Sequence, residues 1–428
     1  MHNKEYALKL VQDKKNGLNN YSYLQIANLT GYSKKQIYRL NKKLNEKDID
    51  SILVHGLTGK PSNNSPSSKE VEFIKNFKNQ YPVISIAQFM DIYHEDVLFN
   101  PKMKKVIEEN HLQIRSYSFF DSLYKQQGWV SPIKHKEFVK NYIAHPLREP
   151  SPRRGFLIMI DGTPYDWFSN GKLFSLHLAV DDATDEILCG WFMPTECLEG
   201  YTRLLYLLLT KYGIPENIYS DRHSVLIPRK EDGTTTFGSI CKDLGINQIA
   251  ALTPEAKGKV ERMNKTLQNR LLNDIKRFNI KTYNELNEWF NSYYKKYLNK
   301  KFAYKPKEKK KAFVKLGKTN LEYILCTRQE RTILDGCVFS YKEHYYKILT
   351  SENEIKTLFK GTKVMVYENI LNQKIYIKYY DKFYNTQVLQ DRVSRSEKIR
   401  ITKVENQKIL EQVLKERDER LKARANLK

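Results

Sequence analysis

The sequence predicts a multidomain α+β protein, with helical modules on the amino-terminal side, a mixed α/β core in the middle, and a small β-barrel followed by a basic helical tail. Three observations favour this class. Helical spacing of apolar residues dominates the first 145 positions, strand-type apolar runs alternate with helical patterns from 150 to 300, and short β-type segments recur from 320 to 392. The 428 residues are 40% hydrophobic and 12% aromatic, which suits roughly three folded domains and excludes a wholly disordered chain.

The net charge favours a polyanionic partner. Lysine and arginine number 73 against 49 aspartates and glutamates, which gives a formal charge of +24. Such a charge attracts nucleic acid. Most of the basic residues are lysines that accompany many asparagines, isoleucines and tyrosines, a mixture that AT-rich coding sequence also produces. The charge therefore supports nucleic-acid binding only together with motifs.

Residues 1–60 have the pattern of a helix-turn-helix module. Three short helices are predicted, of which the last two are separated by a turn at Gly31 and the last begins after a cap at Ser33. In such a module the second helix of the pair enters the major groove of DNA. The predicted DNA-contact residues lie at the start of that helix: Ser33, Lys34, Lys35, Gln36, Tyr38 and Arg39. The alternative is a three-helix bundle with a solvated charged face.

Residues 67–145 predict a second helical module. A stretch rich in Gly, Pro, Ser and Asn at 56–68 precedes it and is typical of a linker. The helix from Tyr117 to Lys125 is a candidate second recognition helix. A scaffold helix without DNA contacts would show the same pattern.

Residues 150–300 predict a mixed sheet flanked by helices, because the elements follow in the order βββαβαβα. The predicted elements are strands at 156–160, 172–180 and 186–193, a helix ending at Gly213, a strand at 217–220, a short helix near 237–245, a strand at 246–251 and a long helix from about 254 to 278.

The carboxyl-terminal part changes character twice. Residues 299–318 contain nine lysines and one glutamate, which fits a flexible linker and a phosphate-tracking arm equally well. Residues 320–392 predict a small antiparallel barrel. Residues 393–428, with eleven lysines and arginines against six acidic residues, predict an exposed basic helix.

Three carboxylates are candidate catalytic residues because of where they fall on the predicted elements. Asp161 directly follows the first predicted strand, Asp221 directly follows the strand at 217–220, and Glu261 lies in the first turns of the long helix. Strand ends of an open sheet are where sites form, and a helix packed across them adds a further ligand. Taken singly, each acid is more often a turn former or a helix cap.

Three acidic side chains suit hard divalent cations such as Mg²⁺, which prefer oxygen ligands. Two ions roughly 3.5 to 4 Å apart stabilise the attacking and the leaving oxygen of an in-line displacement at phosphorus. We therefore expect two Mg²⁺ ions, replaceable by Mn²⁺, at Asp161, Asp221 and Glu261. Asp166, Asp181 and Asp182 are nearby acids outside this set, and Asp181 and Asp182 are interpreted mainly as turn and structural residues. The sequence has no nucleophile elbow and no phosphate-cradling Gly-rich loop.

Four segments around these acids resemble the DDE transposases and integrases of bacterial insertion sequences, most closely the ISNCY group. They are MIDGTPYDWF, LAVDDAT, YSDRHSVL and EAKGKVERMNKTLQNRL. The resemblance implies a ribonuclease-H-like catalytic core at 150–300 in which Asp161, Asp221 and Glu261 match the first, second and third catalytic carboxylates. It is specific in the core and weaker at both ends of the chain.

The resemblance implies hydrolysis of a phosphodiester at each transposon end, followed by attack of the freed 3′-hydroxyl on target DNA. The partners would be double-stranded DNA and further copies of the chain, as a dimer or larger assembly on DNA. Basic residues around Glu261 are expected to contact the DNA backbone, with a solvated helix face as the alternative: Lys257, Lys259, Arg262 and Lys265. A structural role is preferred for His223 over contact with the site, and a core position is preferred for Trp167 over stacking on a flipped base.

Other classes are excluded or kept as alternatives. No His/Cys zinc cluster is present, which disfavours the retroviral branch, and the five cysteines are interpreted as ordinary buried thiols. No membrane segment or signal peptide is expected, so the chain is placed in the bacterial cytoplasm with the nucleoid. The alternatives are a ribonuclease-H-like nuclease or resolvase without strand joining, and a non-catalytic DNA-binding regulator.

Overall fold

The computed structural model describes residues 4–53, 65–133, 149–228, 233–251 and 258–393, and a few positions between 403 and 415. Two compact units are present. The first comprises residues 1–82 and 89–120, and the second comprises residues 83–88 and 121–428. The predicted tail at 393–428 lies largely outside the described residues, as does the predicted start of the long helix at 254. Among the helices described, none combines the length and the apolar character that crossing a bilayer requires.

The amino-terminal half is helical, as its apolar spacing predicts. Its helices are α1 Lys4–Lys15, α2 Tyr23–Thr30, α3 Lys34–Lys43, α4 Ile49–Leu53, α5 Ser68–Asn79, α6 Ile86–Tyr93, α7 Lys104–Asn110 and α8 Tyr117–Gln127. Capping boxes begin α2 at Ser22 and α3 at Ser33. Gly31 ends α2 with φ of 74°, a left-handed conformation that glycine adopts without strain. Local sequence thus sets the turn between α2 and α3.

The central part of the chain folds into the predicted order βββαβαβα. Its elements are β1 Leu157–Tyr165, β2 Phe174–Asp181, β3 Ile187–Met193, α9 Leu198–Tyr212, β4 Asn217–Ser220, α10 Thr236–Asp243, β5 Asn247–Ala250 and α11 Gly258–Arg277. The strands form one sheet in the order β3-β2-β1-β4-β5. The first three are antiparallel, and β4 and β5 run parallel to β1.

A hydrophobic core lies on each face of this sheet, because alternate strand residues point to opposite sides. Ile158 and Ile160 pack under α9 and α10, whereas Met159 packs under the buried stripe of α11. That stripe contains the four predicted core positions, Val260, Met263, Leu267 and Leu271. The result is a sheet between two helical layers.

Strand β1 is longer than predicted. The sequence after Ile160 predicts a strand end, but β1 continues to Tyr165 and pairs with β2 throughout. Asp161 therefore lies within a strand and does not follow one. Because β4 ends at Ser220, the part of β1 beyond Asp161 pairs only with β2 and is open on the side of β4. Pro164, which has no backbone N–H to donate, is tolerated there because no strand on the open side requires that donor.

The edge strand β3 is covered by helices that the sequence analysis did not predict, α12 Tyr283–Trp289 and α13 Lys295–Phe302, joined by a π-helical turn. Asparagine side chains from these helices bond to both the N–H and the C=O of a β3 residue: Asn287 with Phe192, Asn291 with Gly190, and Asn299 with Ile187. Side-chain amides thus take the place of a further strand and remove the exposed edge.

The carboxyl-terminal strands form a six-stranded antiparallel sheet in the order β6-β9-β10-β11-β8-β7. They are β6 Cys326–Thr332, β7 Val338–Tyr341, β8 His344–Leu349, β9 Lys363–Asn369, β10 Ile375–Tyr379 and β11 Lys382–Val393, preceded by the short helix α14 Leu321–Ile324. Strand β6 was not predicted, because its sequence CTRQERT is mostly polar. The ladders leave β6 and β7 at the edges, so closure into a barrel stays a prediction.

Candidate active site

Asp161 and Asp221 lie at equivalent positions of two neighbouring parallel strands. The register pairs Met159 with Tyr219, and each aspartate follows two residues later. Adjacent strands are about 4.8 Å apart, so the two backbone positions are neighbours. Burial raises the pKa of the Tyr201 phenol, with smaller contributions in the same direction from Asp161 and Asp221. Both carboxylates therefore lie within electrostatic range of one side chain.

Helix α11 brings Glu261 to the same region. One turn further along, Asn264 donates a hydrogen bond from Nδ2 to Asp161 Oδ2 at 2.8 Å. Residues three apart share a helix face, so Glu261 lies on the side of α11 that meets β1. Asn264 is only 4% exposed, and its Oδ1 has no hydrogen-bond partner among the described residues. A buried acceptor without a donor beside Asp161 fits a site that binds a further polar group.

The described part of the chain contains no group of three His, Cys, Asp or Glu side chains gathered closely enough to hold a metal ion. Asp161, Asp221 and Glu261 are all described, so as placed these three side chains do not form a closed ligand set. The donor chemistry still suits Mg²⁺, because carboxylate oxygens and an amide oxygen are the ligands that hard cations prefer.

A fourth carboxylate, Glu196, lies beside this region on the opposite face of the sheet. Its Oε1 accepts a hydrogen bond from the Tyr201 hydroxyl at 2.6 Å. It also packs directly over Gly162, where an added Cβ would lie 2.4 Å from Glu196 Cδ. Glycine next to Asp161 thus makes room for this acid.

Two histidines complete the surroundings of Glu196. His177 is fully buried, its Nδ1 is 3.2 Å from the Trp191 carbonyl, and its Nε2 accepts from the Cys197 N–H at 3.3 Å. Burial lowers the pKa of His177, which favours the neutral ring that this bonding requires. The His223 N–H donates to Asp221 Oδ1 at 3.2 Å, and its ring Nδ1 lies 3.8 Å from Glu196 Oε1. His177 is therefore structural, and His223 borders the site.

The three nearby acids outside the set each bind a neighbouring segment of the chain, which agrees with the structural interpretation of Asp181 and Asp182. Asp166 accepts from the N–H groups of the turn at 170–171. Asp181 and Asp182 are fully buried, where Asp181 accepts from the Gly155 N–H at 2.7 Å and Asp182 accepts from Ser151. These bonds hold the segment that leads into β1.

The predicted DNA-contact residues differ in their placement. All six on α3 and its cap are exposed, as are Arg262 and Lys265 on α11. Lys259 is mostly buried and pairs with Asp185 at 2.9 Å and Asp182 at 3.5 Å. Lys257 lies outside the described residues. Contact with DNA stays a prediction for each of them.

Trp167 belongs to the core. It is fully buried, its indole N–H donates to the Phe174 carbonyl at 2.8 Å, and it packs edge-on against Phe192. The alternative that it stacks on a flipped base is wrong, because no ring face is accessible. The buried-thiol interpretation holds for Cys189, Cys241 and Cys326, whereas Cys197 and Cys337 are half-buried.

The sequence analysis missed Asn264 and Glu196. For Asn264 a signal exists, since it is a polar residue on the apolar stripe of α11, three positions after Glu261. For Glu196 no local signal exists, because its relation to Gly162 arises only when β1 and the start of α9 are brought together.

The orphaned amide of Asn264 yields a prediction. We expect Asn264→Ala to weaken Mg²⁺ binding about 10- to 100-fold, because Asp161 loses the donor that orients it. Calorimetric titration of the chain with Mg²⁺ should show half-saturation moved to higher Mg²⁺. Thr266→Ala, on the same helix with its hydroxyl bonded to the Arg262 carbonyl, is the control. Equal effects of the two substitutions would contradict this role.

Comparison with known proteins identifies two relatives by sequence. The chain is 28% identical over 339 residues to y4bF of Sinorhizobium fredii, which bears the name of a transposase, covering 77% of this chain and 69% of that protein. It is 32% identical over 255 residues to the transposase for insertion sequence IS1202 of Streptococcus pneumoniae, covering 58% of this chain and 54% of that protein. The chain thus spans about half the length of the second relative. No family model matches the chain.

Solved structures give weak matches. The HTLV-2 integrase catalytic core domain in complex with magnesium is 18% identical with a TM-score of 0.27, over 32% of this chain and 85% of that one. A simian T-cell lymphotropic virus intasome is 14% identical with a TM-score of 0.30, over 68% of this chain and 97% of that one. The comparison therefore depends on the sequence relatives, and by sequence the chain is similar to insertion-sequence transposases.

Proposed function

We propose that this protein is a DNA transposase that hydrolyses the phosphodiester at each transposon end and joins the freed 3′-hydroxyl to target DNA. The observation that carries the proposal is the adjacency of Asp161 on β1 and Asp221 directly after β4, with α11 bonded to Asp161 through Asn264. The sequence similarity to insertion-sequence transposases supports the same reaction class.

Asp161, Asp221 and Glu261 would hold two Mg²⁺ ions, with Mn²⁺ as a substitute. When bound, such ions stabilise the attacking and leaving oxygens at phosphorus. The chain's own residues orient this set: Asn264 donates to Asp161, and the protonated Tyr201 hydroxyl holds Glu196 beside it. No protein nucleophile is required, because water attacks in hydrolysis and the 3′-hydroxyl attacks in joining.

We also propose that transposon ends are recognised by the helix-turn-helix module at 1–60, aided by the module at 67–145. The exposure of all six predicted contact residues on α3 supports this. In the capping box Ser33 and Gln36 bond to each other, so these two fix the start of the helix, and Lys34, Lys35 and Arg39 are the cations it presents. Two ends must be processed together, so a dimer or larger assembly on DNA is proposed.

The test is a strand-transfer assay with labelled duplexes that carry the candidate ends, in Mg²⁺ and in EDTA. We expect metal-dependent cleavage followed by products in which the labelled strand is joined to target DNA. Cleavage without joined products would favour the nuclease or resolvase alternative. End binding without any cleavage would favour the DNA-binding regulator.

A further inference from the structure

The lysine-rich segment between the core and the carboxyl-terminal sheet is an ordered strap. We define the lysine strap as residues 304–318, which contain seven lysines and one glutamate. Its backbone bonds to two separate parts of the core: Tyr304 N–H donates to the Thr184 carbonyl at 2.7 Å, whereas Glu308 N–H and Ala312 N–H donate to the carbonyls of Pro152 at 2.9 Å and Arg154 at 2.8 Å. Val314 adds a pair of bonds with Ile214 at 2.8 and 2.9 Å. The flexible-linker interpretation is therefore wrong for this segment.

Two glycines and an aromatic anchor fit the core to the strap. Phe313 packs against Gly155, where an added Cβ would lie 2.5 Å from the ring, and against Tyr212 with ring centroids 5.9 Å apart. At Gly213, with φ of 104°, an added Cβ would lie 2.4 Å from the Val314 carbonyl oxygen. Side chains at either position would displace the strap, so its path depends on the core's own sequence.

The strap presents its charge outward. All seven lysines are exposed, and only Lys307 has an ion-pair partner among the residues described, Glu149 at 2.7 Å. Lys309, Lys310 and Lys311 are consecutive, so their backbone positions lie within the screening length of about 8 Å at physiological salt and their charges repel one another. The repulsion is relieved when a polyanion binds.

We propose that the lysine strap binds the backbone of double-stranded DNA without reading its sequence. Lysines are compact charges without the planar fork of arginine, which suits phosphates at varied positions. Between Glu308 and Val314 the strap extends at most about 20 Å, over which one strand of B-DNA presents about six phosphates. Tyr304 is the one strongly exposed aromatic side chain on the strap as described, so stacking on single-stranded bases is disfavoured.

The bound duplex would be distinct from the phosphate at the candidate active site. The strap contacts Arg154 in the turn before β1, and Asp161 lies four residues into that strand, about 13 Å from its first residue. This inference rests on the proposed function, because it takes the DNA bound by the strap to be a second stretch of the DNA that a transposase handles, such as target or flanking sequence.

The test is binding of a random-sequence 40-base-pair duplex to the full chain at several salt concentrations. Replacing Lys309, Lys310 and Lys311 by Gln should lower the slope of log affinity against log salt by about two to three, since each phosphate contact contributes about 0.9. The matched control replaces Lys242, Lys374 and Lys382, which are exposed and lie outside both the strap and the two helical modules, and it removes the same charge. Equal changes in both variants, or none in the strap variant, would overturn the proposal.

A second measurement needs no variant. Lysine acetylation of the wild-type chain should be slower at Lys309–Lys311 with the duplex than without it, and equal labelling would refute the strap as a DNA site. An Asp161→Asn chain separates the two proposals, because its cleavage rate tests the candidate active site and its salt slope tests the strap. If the strap binds DNA, the salt slope of this chain equals that of the wild type, whether or not the hydrolysis proposal holds.

Discussion

Asp161→Asn is expected to reduce metal-dependent strand cleavage by roughly 10³-fold or more while leaving folding and end binding intact. The substitution keeps the shape of the side chain and removes the charge that a divalent cation requires. Asn264 still has an oxygen to which it can donate, so local packing is preserved. Cleavage of labelled ends, thermal melting and end binding measured on the same preparation separate chemistry from structure.

Asp166→Asn is the matched control for this experiment. Asp166 lies five residues further along the chain, and its carboxylate accepts hydrogen bonds from the N–H groups of the turn at 170–171. These bonds lower the pKa of the Asp166 carboxyl. Its loss should leave the cleavage rate within a few-fold of wild type. Wild-type cleavage by Asp161→Asn, or equal losses in both variants, would refute the assignment of Asp161. Glu261→Gln extends the test to α11 and should abolish both cleavage and joining.

Asn291→Leu should lower the stability of the second unit by about 2 to 6 kcal/mol, because two buried backbone groups lose the side chain to which they bond, at about 1 to 3 kcal/mol each. The amide accepts from the Gly190 N–H at 3.2 Å and donates to the Gly190 carbonyl at 2.6 Å. Leucine fills a similar volume and makes neither bond. Thermal unfolding followed by circular dichroism should show a melting temperature lower by about 10 °C.

Ser292→Leu, on the next residue of the same turn, is the control for adding an apolar side chain. Ser292 is exposed, and its hydroxyl bonds to the Glu288 carbonyl of its own helix. Its replacement should change the melting temperature by no more than a degree or two. A melting temperature for Asn291→Leu that matches this control would mean that the amide contact with β3 contributes nothing to stability.

Local patterns were sufficient for the order of elements in the core. Short apolar runs predicted β1 to β5, and Gly213 correctly marked the end of α9, because strand and helix periodicities are properties of a few consecutive residues. The placement of Asp221 directly after β4 is confirmed for the same reason. The end of β1 was wrong, since Gly162 and Pro164 indicate a turn locally whereas pairing with β2 extends the strand through them.

The sequence by itself determined the chemical inventory of this protein: its basic charge, its helical and mixed α/β segments, and the three carboxylates that match the transposase motifs. Only the tertiary structure decided which residues contact one another. Asn264 meets Asp161 across 103 positions and Asn291 meets Gly190 across 101, and Glu196 reaches Gly162 through the packing of α9. Contacts between residues so far apart leave no periodic trace in the chain. They arise from how helices and strands pack, and the same packing holds the lysine strap in place.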